Sequence, residues 1–176
     1  RANTKKQNVA FCGYHGWHDW YLSANLTNEK NLNNHLFENI STVGIPKNLK
    51  NTVYQFNYGK INELIKLIKK NSIGIVIMEF ARIKELNIDF LKSVKRICKK
   101  YNCILIFDEC TSGFREHIGG VHMKYKIEPD IVTFGKAIGN GYPITCLLAK
   151  EKLRNKSEKA FISSTNWSDR IGFVAA

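Results

Sequence analysis

Two residues of this sequence could together hold an aromatic cofactor, although each is ordinary on its own. Lys136 stands in Phe134-Gly-Lys-Ala-Ile-Gly-Asn-Gly-Tyr-Pro143, a long amine among glycines that let another group approach the backbone closely. Asp108 follows directly on the apolar run Cys103-Ile-Leu-Ile-Phe107, so its carboxylate should emerge at the carboxyl end of a buried strand, where a charge needs a partner. Singly, Asp108 reads equally well as a helix cap or structural ion pair, and Lys136 as an exposed lysine in a turn. The glycine segment is not a P-loop, because no glycine precedes Gly135 at the required spacing and Ala137 stands where Ser or Thr would bind magnesium. It is not a dinucleotide fingerprint either. Taken together, the two residues follow successive strand candidates, which brings them to one edge of a sheet. A lysine that forms a Schiff base and a carboxylate that keeps a pyridine nitrogen protonated are the groups pyridoxal phosphate needs for its ring to accept electrons from a carbanion.

Short apolar runs rich in Val, Ile and Phe alternate with stretches of helical period, the pattern of an α/β fold with a mostly parallel sheet and helices on both faces. The strand candidates are Asn8-Cys12, Thr52-Phe56, Ile73-Met78, Cys103-Phe107, Asp130-Phe134 and Ile144-Ala149. Ile61, Leu64, Ile65 and Ile68 mark one apolar helix face, and Leu91, Val94, Cys98 and Tyr101 a second, with Asn87 as its N-cap. The runs Ile73-Met78 and Cys103-Phe107 do not alternate with polar residues and so should be buried on both faces, which makes their carboxyl ends the place for chemistry. The polar stretch Asn25-Asn34 reads as a surface excursion with no legible function.

At 176 residues the chain has room for one ordinary domain. Its 27 lysines and arginines against 15 acids give a formal charge of +12, which would suit a nucleic-acid binder. The distribution argues otherwise, since pairs such as Lys69-Lys70 and Lys99-Lys100 end apolar-periodic stretches, where positive charge complements a helix C-terminus. Five cysteines without a C-x-x-C pair signal neither a disulfide framework nor a zinc knuckle. His15, His18 and Asp19 invite a metal, as do His117 and His122, but no second cluster completes either ligand set. With no charged-then-apolar leader and no apolar run of membrane-spanning length, the expected setting is cytoplasmic and reducing. The chain opens at Arg1 without Met and closes on Phe173-Val-Ala-Ala176, so both ends read as cut.

Four segments in order resemble one family. Gly13-Tyr-His-Gly-Trp-His-Asp-Trp-Tyr21, Ile106-Phe-Asp-Glu-Cys-Thr-Ser-Gly-Phe-Arg115, Pro129-Asp-Ile-Val-Thr-Phe-Gly-Lys-Ala-Ile-Gly-Asn-Gly-Tyr-Pro143 and Ser163-Ser-Thr-Asn-Trp-Ser-Asp-Arg-Ile-Gly172 are similar to the motifs of class III pyridoxal-phosphate-dependent aminotransferases. Within that class the resemblance is greatest to the glutamate-1-semialdehyde aminomutase group, and it spans nearly the whole chain. It implies the large domain of a fold-type I enzyme and amino-group transfer either between two small amino donors and acceptors or within one molecule.

Residue by residue, the resemblance makes Lys136 the Schiff-base lysine and proton carrier, and Asp108 the partner of the pyridine nitrogen. Tyr14 matches the aromatic stacked on one ring face, with His15 beside it. Cys110 falls where the family has Val or Ile against the other face. Thr165 matches a threonine reaching the cofactor phosphate of a neighbouring subunit, which implies a homodimer with shared sites. Read without the family, Tyr14 and Trp17 are core aromatics, Cys110 a small apolar residue and Thr165 a turn cap. Glu79-Phe-Ala-Arg82 departs from the family's Glu-Pro and leaves Glu79 without a role. Residues 1–176 would be the central part of the cofactor-binding large domain, with the phosphate loop before Arg1 and the small domain after Ala176. Two other classes remain: a non-catalytic remnant of the fold serving as an interaction module, and a basic nucleic-acid-binding domain.

Overall fold

All six strand candidates form, within one or two residues of the expected bounds, and they join in one mostly parallel sheet. In a computed structural model, which describes residues 1–35, 37–81 and 86–176, β1 (Asn8–Cys12) runs into a short helix α1 (Asp19–Leu22) and a 3-10 turn over Ser23–Leu26. Then come β2 (Val53–Gln55), α2 (Ile61–Lys70), β3 (Ile73–Glu79), α3 (Ile88–Lys100) and β4 (Ile104–Asp108). The chain continues through α4 (Val121–Lys124), β5 (Ile131–Phe134), a 3-10 turn over Lys136–Gly139, β6 (Cys146–Ala149), α5 (Arg154–Ser157) and α6 (Arg170–Ala175). The sheet order is β2-β1-β3-β4-β5-β6, parallel throughout except that β6 runs antiparallel to β5.

α2 and α3 form for the reasons their apolar period gives. Leu64 and Ile68 of α2 and Phe90, Leu91, Val94 and Cys98 of α3 are buried together against Val76, Met78, Leu105 and Phe107 of the sheet. Each large apolar side chain so buried contributes about 1.5–3 kcal/mol before entropy. Asn87 caps α3 as expected, its Oδ1 accepting from the Phe90 amide at 2.9 Å. Lys69-Lys70 and Lys99-Lys100 occupy the last turns of the two helices.

The second face is built differently from the sequence expectation. Val9, Phe11, Val53 and Ile75 are covered by Tyr21, Ala24 and Leu32, from α1, the turn after it and the segment beyond, not by a long helix. Towards β4 this cover thins: Leu105 and Phe107 are buried while Ile104 and Ile106, on the opposite face, are half-buried. The expectation that Cys103-Phe107 is buried on both faces is therefore corrected, whereas in β3 only Ile77 and Glu79 fall short of burial. Asn25-Asn34 is likewise not a free excursion. Asn25 is buried and bridges the chain, donating to Ile40 O at 3.0 Å and accepting from the Leu32 amide at 3.0 Å. Among the described residues no helix is long and apolar enough to cross a membrane.

Candidate active site

Parallel strands in register end together, and their carboxyl ends gather the polar residues of this site. Glu79, the last residue of β3, lies opposite Asp108, the last of β4, and Asp108 lies opposite Thr133 of β5. One strand further, β1 ends at Cys12 and leads through Gly13 to Tyr14 and His15.

Asp108 is the centre of this end of the sheet. Its Oδ2 meets His15 Nδ1 at 2.9 Å, and its Oδ1 accepts from the Cys110 amide at 3.1 Å and from the Thr133 hydroxyl at 3.2 Å. Burial alone would raise its proton affinity, but the hydrogen bond and charge of His15 and the Cys110 amide outweigh it and hold the carboxyl below its ordinary value. The Cys110 thiol also bonds this carboxylate, yet the side chain keeps 15% exposure, so a further N–H donor has the capacity to reach it. That capacity fits a protonated pyridine nitrogen. The other ring nitrogen of His15 faces Cys12 O at 3.1 Å. Both contacts are to oxygens that only accept, so they are made together when the ring carries both N–H protons. His15 is thus paired with Asp108 and Cys12, and among the described residues no group of three His, Cys, Asp or Glu side chains lies together.

Tyr14 stands beside this pair. Its amide donates to Glu79 Oε2 at 3.0 Å, and its half-buried ring packs 5.3 Å from Trp17 and 5.8 Å from Tyr21. Gly13 makes the approach possible: at φ +99° a Cβ would be strained and would lie 2.6 Å from the Glu79 carboxylate. Glu79, without a role in the sequence, thus anchors the Tyr14 backbone. Arg82 of the same segment lies outside the described residues.

Cys110 and Lys136 meet on the β5 side. The Cys110 thiol lies 3.9 Å from Thr133 Oγ1 and is pushed up to about 11, by burial first and then by the Asp108 charge, against a smaller opposing effect of Lys136. A thiol so held is neutral and serves as a small packing surface. Lys136 begins the 3-10 turn after β5 with a left-handed φ of +48°, a conformation that costs a non-glycine residue about 1–2 kcal/mol. Its amine donates to the Thr111 hydroxyl at 3.3 Å. It lines an open depression of about 700 Å³ with Phe114, Arg115, Ala137, Asn140 and Gly141. Asp108 is not among the residues lining that depression, but Cys110 feels the charges of both Asp108 and Lys136. Thr165 sits in an exposed turn. Thr111, Thr133 and the buried Glu109 are site residues that motif reading passed over. For Thr133 the signal was available, since strand alternation and the Asp108 register set it beside that carboxylate.

The chain matches a family model, Aminotransferase class-III, over residues 1–171. It is 34% identical to the 3-aminobutyryl-CoA aminotransferase of Cloacimonas acidaminovorans over all of its own length and 41% of that protein's. It is 33% identical to the glutamate-1-semialdehyde 2,1-aminomutase of Sulfurisphaera tokodaii, over 87% of this chain and 37% of the relative. The chain thus spans about two fifths of the length of these relatives. The FumI protein of Sphingopyxis sp. MTA144, in its PLP internal aldimine form, superimposes with a TM-score of 0.78 at 23% identity, covering 99% of this chain and 41% of that one. That likeness shows the fold, a mostly parallel sheet of the kind found in PLP-dependent enzymes. With the family match running almost from end to end and the relatives' identity extending across the Asp108 and Lys136 segments alike, the chain belongs to the class-III aminotransferases.

Proposed function

We propose that this chain is the central part of the cofactor-binding large domain of an enzyme that transfers an amino group with pyridoxal phosphate, and that Lys136 is the residue holding the cofactor covalently. The cofactor, when bound, supplies the electron-accepting ring. Everything else is done by side chains. Asp108 would accept the ring N–H, and His15, hydrogen-bonded to its Oδ2, helps to hold the carboxylate below its ordinary value for that task. Tyr14 flanks one face of the ring and Cys110 the other. Lys136 would hold the cofactor and, as a free amine, would be the base that carries the proton at the reacting carbon.

The reaction is amino-group transfer between two small amino donors and acceptors or within one molecule; the relatives bear names of both kinds, an aminotransferase and an aminomutase. A homodimer with shared sites accounts for Thr165, whose role is to reach the partner's cofactor phosphate. Support comes from the apolar side chains around it: Phe161, Trp167, Phe173 and Val174 are each more than half exposed and would be covered by a second copy.

The observation that carries this reading is the Asp108 carboxylate, held ionised and partly exposed at the end of β4, beside the strand that leads to Lys136. The test is borohydride reduction of the full-length protein with pyridoxal phosphate, followed by peptide mass analysis, with Lys136→Ala as control. A reduced adduct on Lys136 in the wild type and none in the variant is expected. A wild-type protein that takes no adduct would refute the assignment and leave a fold retained as an interaction module.

A further inference from the structure

The loop between β4 and α4 is held at both ends by one buried carboxylate. Asp108 and Glu109 are consecutive, and strand alternation sends them to opposite sides: Asp108 towards the site, Glu109 into the interior with no exposed surface. Glu109 Oε2 accepts the Val121 amide at 2.7 Å and the Ser112 hydroxyl at 3.0 Å. Its Oε1 accepts the His122 amide at 2.9 Å and meets His122 Nδ1 at 2.6 Å. Between these anchors the loop lies flush on β5. Gly113 donates its amide to Glu109 O at 2.8 Å, and a Cβ there would be 2.5 Å from the Phe134 ring.

This clamp presents a single hydroxyl to the lysine. Arg115 Nε fixes the Thr111 carbonyl at 2.7 Å, and Thr111 Oγ1 receives the Lys136 amine at 3.3 Å. Among the described residues Lys136 forms no ion pair. A carboxylate in the place of Thr111 would favour the ammonium form alone. A hydroxyl both accepts and donates, so an ammonium can give it a hydrogen and a neutral amine can receive one from it. The contact therefore survives gain and loss of the proton while restraining a side chain that has four rotatable carbons.

We propose that Thr111 is a positioning residue for the Lys136 amine, holding it at the end of β5 in either protonation state whenever it is not bound to cofactor. The inference rests on the reading of Lys136 given above. Its test uses the cofactor-free full-length protein, pyridoxal phosphate as probe, and the variants Thr111→Val and Thr111→Ser. The readouts are the rate at which the cofactor's absorbance band develops, its final amplitude, the borohydride adduct and the Tm. Thr111→Val should form the band about five- to tenfold more slowly, the effect of one orienting hydrogen bond on a rate, with final amplitude and Tm unchanged. Thr111→Ser should recover the rate to within about twofold, since it restores the hydroxyl. Equal rates in wild type and Thr111→Val, with the adduct on Lys136 in both, would overturn this inference alone. Loss of rate shared by Thr111→Ser, with a lowered Tm, would mark Thr111 as merely structural and overturn it as well. Absence of the adduct from the wild type would overturn both this inference and the reading of Lys136.

Discussion

Replacing Glu109 by glutamine tests whether the buried clamp holds this end of the sheet together. The side chain keeps its volume, so no cavity opens, and the effect comes from hydrogen bonds alone. The glutamate presents two oxygens to four donors: the Val121 amide and Ser112 hydroxyl on one side, the His122 amide and ring on the other. Glutamine has one oxygen. Whichever way its amide turns, the NH2 faces a backbone N–H that cannot reverse its role, whereas the Ser112 hydroxyl can rotate and the His122 ring can change tautomer. One buried N–H is thereby orphaned at about 1–3 kcal/mol, and the bonds that remain lose about 1 kcal/mol more with the charge. The expected loss is about 2–4 kcal/mol, read as a fall in urea midpoint at unchanged slope. The pH dependence has a definite sign. Burial raises the Glu109 carboxyl, but the His122 side chain and the His122 and Val121 amides outweigh burial and leave it below its ordinary 4.5. The unfolded chain therefore takes up the proton first, so the carboxylate's contribution is complete above about pH 4.5 and disappears as pH falls through the folded value. The gap between wild type and Glu109→Gln should close in acid. A loss under about 1 kcal/mol at pH 7 would mean that no donor is orphaned and that the clamp argument is wrong.

Two further outcomes follow from the same geometry. His15→Ala removes both the hydrogen bond and the charge that keep Asp108 ionised, and should weaken binding of pyridoxal phosphate to the full-length protein by about tenfold or more, since a hydrogen bond to a charged group contributes about 1.5–3 kcal/mol. An unchanged Kd in an absorbance titration would show that Asp108 needs no such partner. Cys110, pushed up from an ordinary 9.0 to about 11, holds about a hundredfold less thiolate at pH 8 than the same residue in an unfolded chain. Its alkylation by iodoacetamide, followed by peptide mass analysis, should be slower in native buffer than in urea, and equal labelling in the two would contradict a thiol held neutral beside Asp108.

What could be read from sequence was the set of features that depend on period and on local chemistry. The strands Ile73–Glu79 and Ile104–Asp108, the α3 cap at Asn87 and the position of Asp108 at a strand end all follow from runs of a few residues. What could not be read depends on where the chain returns. Asp108 and Glu109 are adjacent carboxylates that look alike in sequence, and alternation says only that they part company. Which of them is buried is decided by the Gly119–Gly120 turn, which brings the Val121 and His122 amides back over Glu109 from twelve and thirteen residues away. The two-sided burial expected of Cys103-Phe107 failed for a related reason: an unbroken apolar run shows that a strand tolerates cover on both faces, and says nothing of whether the cover extends across it. Thr165 shows the same limit in the other direction. Its place in a motif is plain, yet within one copy of the chain it lies in an exposed turn. An exposed residue of this kind is tested on a second copy, with Thr165→Ala expected to loosen the cofactor only where two subunits complete one site.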